Sequence, residues 1–146
     1  MKSTLHWNEN MAFKVKVDSH ELLIDAKTPI GKDSAPTPKD LVGIGLGGCT
    51  AMDVIALMKK HKQPVESLDV EVDITPSEGT QPVVFTKATI TFKAKGQIDK
   101  DKLLEAVHLS QTKYCGVSAM LSKAFPIHYI VELNDTQIGT GQATFS

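Results

Sequence analysis

Arginine is absent: all sixteen basic residues of this 146-residue chain are lysine. No guanidinium is therefore available to clamp a carboxylate or phosphate through two parallel hydrogen bonds. Excess charge of either sign is also lacking, since seventeen acidic residues bring the net charge to −1. Without a broad positive field, neither nucleic acid nor an anionic membrane is expected as a partner. The stretch Met1 to Asn10 carries no apolar signal region, and no run reads as long enough to span a bilayer. A cytoplasmic location is the resulting expectation. Cysteine is scarce, with only Cys49 and Cys115 present. In a reducing compartment a bond between them is expected to be transient and catalytic rather than structural.

Several familiar chemistries lack their motifs. The five histidines stand singly and the cysteines form no C-x-x-C pair, so spacing supports neither zinc nor haem, and no metal or cofactor is expected. There is no H-E-x-x-H, no G-x-S-x-G and no phosphate loop. Gly43-Ile44-Gly45-Leu46-Gly47-Gly48 does satisfy G-x-G-x-x-G. That motif needs a buried strand feeding a tight turn, whereas here a proline-rich loop and a helix start precede it.

What is present reads as one α+β domain over residues 1–146. Alternation at Phe13, Val15 and Val17, then the apolar stretch Leu22 to Ile24, predict short strands in a hairpin or meander. Pro29, Gly31, Asp33, Ser34, Pro36 and Pro38 mark a loop. Thr37-Pro38-Lys39-Asp40 then offers a cap hydroxyl, a proline at the first helical position and an acid three residues after the threonine. A long helix is expected over about 38–61, ending in Lys59, Lys60 and Lys62 before Pro64. Gly43, Gly45, Gly47 and Gly48 inside it point to close approach by another element or to a bent helix.

From Leu68 the period changes to two. Leu68, Val70, Val72 and Ile74 alternate with acids and a threonine, and Val84 to Lys95 alternate apolar residues with lysines and threonines. A long antiparallel hairpin with acid–lysine cross-strand pairs is expected. A helix over about 100–112, a third helical stretch from Val117 to Ala124, and a final strand at His128 to Leu133 complete the pattern. The polar tail from Asn134 is expected to be weakly ordered.

Cys49 sits in Leu46-Gly47-Gly48-Cys49-Thr50-Ala51-Met52-Asp53-Val54 and Cys115 in Lys113-Tyr114-Cys115-Gly116-Val117-Ser118. A thiolate is a good nucleophile, and two thiols that meet can cycle between dithiol and disulfide. A free cysteine is also commonly a buried packing residue. Local position favours a thiolate at Cys115, near a helix N-terminus, over Cys49 within the long helix.

These two frames, together with Ala35-Pro36-Thr37-Pro38-Lys39-Asp40-Leu41-Val42, resemble the OsmC/Ohr family of osmotically inducible and organic hydroperoxide resistance proteins, in its OsmC-like branch. The resemblance covers most of the chain. It implies an intertwined homodimer with sites at the subunit interface and glycine-rich helices packed centrally. It also implies a peroxidase in which Cys49 attacks an organic hydroperoxide, Cys115 resolves the sulfenic acid to a disulfide, and dihydrolipoamide or a lipoylated protein restores the dithiol. This reverses the order of attack suggested by local position. The family's catalytic members use an arginine to stabilise the thiolate and a glutamate to orient it. Asp40 stands in the glutamate's neighbourhood and is one methylene shorter, while the arginine has no counterpart beyond a guess at Lys16. The alternative is a non-catalytic dimeric protein that binds ligands or senses redox state.

Overall fold

The computed structural model describes residues 1–146. Two compact units appear, Met1–Val42 and Gly43–Ser146. In the first, strands β1 (Ser3–Glu9), β2 (Ala12–Val17) and β3 (His20–Ile24) form an antiparallel meander, as the alternation predicts. Its tight turns place Asn10 and Asp18 at φ 50° and 53°, a left-handed conformation those side chains tolerate. After β3 the chain wraps around Asp25. Its carboxylate accepts from the Ser34 hydroxyl at 2.7 Å and from the amides of Ala26, Ser34 and Lys32 at 2.7, 3.1 and 3.3 Å.

The long helix, α1, runs from Pro38 to Lys60. Its start is the expected capping box: the Asp40 amide donates to Thr37 Oγ1 at 3.1 Å, and the Thr37 amide donates to Asp40 Oδ2 at 2.9 Å. Despite its glycines, α1 is continuous. At Gly47 the close approach is real, because a Cβ there would lie 2.7 Å from Val72 Cγ2. Gly45 and Gly48 meet nothing within 4 Å, so the same explanation does not extend to them. One expectation needs correction: α1 is long and apolar enough, by length and composition, to cross a bilayer. Its glycines hid the length of the run. The core helix of a soluble protein passes the same test, but only 28% of the apolar window of α1 is buried, with Leu46, Thr50, Val54 and Met58 among its inward residues.

In the second unit β4 (Val65–Pro76) and β5 (Phe85–Gly96) form the expected antiparallel hairpin, β6 (Ile127–Leu133) joins β5 in parallel, and β7 (Thr136–Gln142) pairs with β6. The core collects Leu46, Val54 and Met58 of α1 with Ile90 and Phe92 of β5, Leu103 and Val107 of α2 (Lys100–Leu109), and Ile127 and Val131 of β6. Charges on the hairpin stay outside, where Lys93 Nζ lies 2.9 Å from Glu71 Oε1.

The weakly ordered tail is overturned by β7. Asn134 and Asp135, at φ 50° and 67°, make the tight turn that returns the chain along β6. Gly139 and Gly141 in this polar segment lie where a Cβ would meet Leu104 and the Tyr129 ring. The helix expected over 100–112 changes pitch: it is α-helical to Leu109, then makes one π turn over Ser110–Tyr114. The Cys115 amide closes that turn on Ser110 O at 2.9 Å. The third helix, α3 (Gly116–Leu121), stops three residues short of the expected Ala124.

Candidate active site

Cys49 and Asp53 are four residues apart on α1 and therefore share a face. Cys115 comes from the junction of the π turn and α3, far away in sequence. The fold brings these three together: Cys49 Sγ, Cys115 Sγ and an Asp53 carboxylate oxygen all lie within 4.8 Å of one another. Both cysteines are free thiols, Cys49 partly accessible and Cys115 buried. The two thiols thus differ in exposure within one pair.

A buried layer of hydroxyls and an amide surrounds the pair. The Ser110 hydroxyl donates to Asp53 Oδ2 at 2.9 Å, which leaves it to accept from the Thr50 hydroxyl at 2.7 Å. The Gln111 amide nitrogen donates to Thr50 Oγ1 at 2.9 Å and to Ser118 Oγ at 3.0 Å. Directed this way, the chain runs from Gln111 through Thr50 and Ser110 to the Asp53 carboxylate. Thr50, Ser110, Gln111 and Ser118 are all fully buried, so the bonds among these four are made away from competing water.

The expected thiolate at Cys115 is not favoured. Cys115 does cap α3, accepting from the Ser118 amide at 3.3 Å. Burial nevertheless pushes its thiol up to about 11; the Ser118 hydroxyl and amide pull it down, while Cys49 adds to the rise. The cost of burying a charge exceeds what one short helix end returns.

Asp40 presents a different picture. It is exposed, and its carboxylate is engaged with Thr37, whose amide and hydroxyl hold it below the usual carboxylate range. Lys16 lies exposed on β2. Inspection of the sequence missed Asp53, Ser110, Gln111 and Ser118. For Asp53 a signal existed, its helical i+4 spacing from Cys49; for the others the π turn left none. An open groove beside α1, lined by Met52, Ile55, Lys59, Val65 and Leu68 among others, includes neither cysteine.

The OsmC-like protein family model matches residues 31–129, which include both cysteines and the start of α1. Protein YhfA of Escherichia coli (strain K12) is 35% identical over 136 residues, spanning 91% of this chain and 98% of that protein. Among solved structures, an OsmC-like protein from Mycoplasma pneumoniae matches with a TM-score of 0.79 at 15% identity, covering 90% of this chain and 95% of that one. A Legionella pneumophila organic hydroperoxide resistance protein OsmC, described as a predicted redox protein, matches with a TM-score of 0.66 at 13% identity, over 90% and 95% of the two chains. These structures share the fold, and the sequence relationship carries the kinship. With the family model spanning the two thiols and a relative aligned along nearly its whole length, this chain belongs to the OsmC-like protein family.

Proposed function

We propose that the protein is a two-cysteine peroxidase for organic hydroperoxides. The observation that carries this reading is the approach of an accessible Cys49 and a buried Cys115 to within 4.8 Å. Cys49, the thiol that a peroxide can reach, attacks one peroxide oxygen as the thiolate. The O–O bond breaks, the alcohol leaves after taking up a proton, and Cys49 becomes a sulfenic acid. Cys115 then attacks that sulfur, the S–O bond breaks, and the hydroxyl leaves as water when a disulfide forms. The proton on Cys115 must depart for this step, and Asp53 is the base at hand. A dithiol such as dihydrolipoamide, or a lipoylated protein, returns two electrons and two protons to reopen the bond.

Asp40 acts at a remove, holding the start of α1 through its cap rather than touching the thiols. We also place the working protein in the cytoplasm as a homodimer. Exposed apolar side chains support the dimer: Leu5 and Trp7 on β1, Ile44 and Met52 on α1. A second reading, redox sensing without turnover, is favoured by one feature. The chain has no arginine, so no guanidinium stands beside the thiols to stabilise a thiolate.

One equivalent of cumene hydroperoxide decides between them. Rapid loss of both thiols with a mass decrease of about 2 Da, reversed by dihydrolipoamide and abolished in Cys49→Ser, is the expected result. Two unreacted thiols after peroxide treatment would overturn the peroxidase reading.

A further inference from the structure

We propose that Cys49, Asp53 and Cys115 form a binding site for a thiophilic divalent cation of the zinc type, with three protein ligands and an open fourth position. The inference stands apart from the peroxidase reading, since it needs only that the thiols be reduced.

Three observations carry it. The ligand atoms are already gathered, mutually within 4.8 Å. In a tetrahedral zinc site with bonds of about 2.0–2.3 Å, neighbouring donors are about 3.6–3.8 Å apart, so closing the trio needs movements of roughly 1 Å. Cys49 and Asp53 are one helical turn apart on α1, so two of the three donors are set by one rigid element. Finally, the carboxylate has the support typical of a metal ligand: Ser110 donates to Oδ2, leaving Oδ1 to meet a cation.

The donor set decides the cation. Two thiolates select against magnesium and calcium, which prefer all-oxygen shells, and one carboxylate suits a borderline ion better than a purely soft one. Binding converts two thiols to thiolates and releases up to two protons to solvent. Two thiolates and a carboxylate supply three negative charges against the cation's two, so the complex carries one negative charge. A divalent cation thus supplies the positive charge that this chain, without arginine, does not place beside its thiols through a guanidinium. Spacing offers zinc no support because its ligands come from two segments 62 residues apart at their nearest, Asp53 and Cys115.

Metal and disulfide compete for the same sulfurs. Two electrons leave the thiolates when a disulfide forms, and a disulfide is too poor a donor to retain the ion. Oxidation therefore ejects the cation. With diamide as oxidant, two electrons from the thiolates and two protons from solvent reduce the azo group to a hydrazine while the ion goes to solvent.

The test uses full-length reduced protein stripped by a chelator, with zinc titrated against a chromophoric competitor and cobalt(II) as a spectroscopic probe. The expected result is one zinc per chain and a thiolate-to-cobalt charge-transfer band with intense tetrahedral visible bands. Cys49→Ser and Cys115→Ser should weaken zinc binding at least tenfold, Asp53→Ala should do likewise, and Ser110→Ala should weaken it less. Diamide should release the zinc and reduction by a phosphine should restore binding. A cobalt spectrum without the thiolate band overturns the proposal, and this readout on the unaltered protein does not depend on any variant folding. Zinc affinity unchanged by Asp53→Ala, or zinc retained after diamide has consumed both thiols, overturns it equally. None of these outcomes bears on peroxide turnover, which the cumene hydroperoxide experiment reads separately.

Discussion

The Ser110 hydroxyl hydrogen-bonds to Asp53 Oδ2 at 2.9 Å, tying the π turn to the central helix one turn beyond Cys49. Ser110 also accepts from Thr50, so its hydroxyl joins two groups of α1 at once. Removing it leaves a buried hydroxyl without its acceptor and a carboxylate without its donor. Ser110→Ala is expected to cost about 1–3 kcal/mol in denaturant unfolding, well above the effect of an exposed serine. An unchanged midpoint would mean that the layer contributes no net stability.

Cys115 makes stability depend on pH in the alkaline range. Its thiol is pushed from 9.0 to about 11 in the folded protein. Between these values the unfolded chain has lost the proton that the folded chain retains, so stability falls as pH rises through that window. The fall is on the order of 2 kcal/mol by pH 11, and Cys115→Ala should remove it. Unfolding curves at pH 8, 9.5 and 11 for both proteins check this.

Asp40 is expected to separate stability from chemistry. Losing the capping box in Asp40→Ala should cost about 0.5–2 kcal/mol. Peroxide consumption by the folded variant should stay within about twofold of the parent, because the carboxylate acts on the helix start rather than on a thiol. A much larger loss of turnover at full folding would assign Asp40 a direct part in thiolate formation.

Asp25 predicts acid sensitivity in the N-terminal unit. The Ser34 hydroxyl, followed by the Ser34 and Ala26 amides, lowers its carboxyl from 3.8 to about 2. A depressed folded value contributes stability that is complete above 3.8 and is lost as pH falls toward 2. Asp25→Asn should abolish this part of the acid transition and lower stability at neutral pH. The amide signals of residues 25–34, followed by NMR from pH 6 to pH 2, give the local readout.

The fold was legible wherever one periodicity dominated. Alternation from Leu68 to Ile74 and from Ala88 to Ala94 has two-residue regularity because one face of that hairpin packs inward. The Thr37/Asp40 cap was legible because its chemistry is entirely local. β7 was missed because Gly139 and Gly141 replace the expected apolar residues, their purpose being room for Leu104 and Tyr129. The pairing of Cys49 with Cys115 rests on the tertiary fold, and no spacing encodes it. Local position also misled at Cys115, where the helix end argued for a thiolate and burial decided otherwise.

The change of pitch at Ser110 has its own consequence. Successive residues of an α-helix point about 100° apart, so neighbours rarely serve one buried cluster. Ser110 and Gln111 are adjacent, both fully buried, and both bonded to Thr50. The wider turn accommodates that pair and hands the chain to Cys115 through a bond five residues long. The site is therefore sensitive to length as well as composition: deleting a single residue between 110 and 114 would rotate the second thiol away from the first while leaving every reactive side chain in the protein.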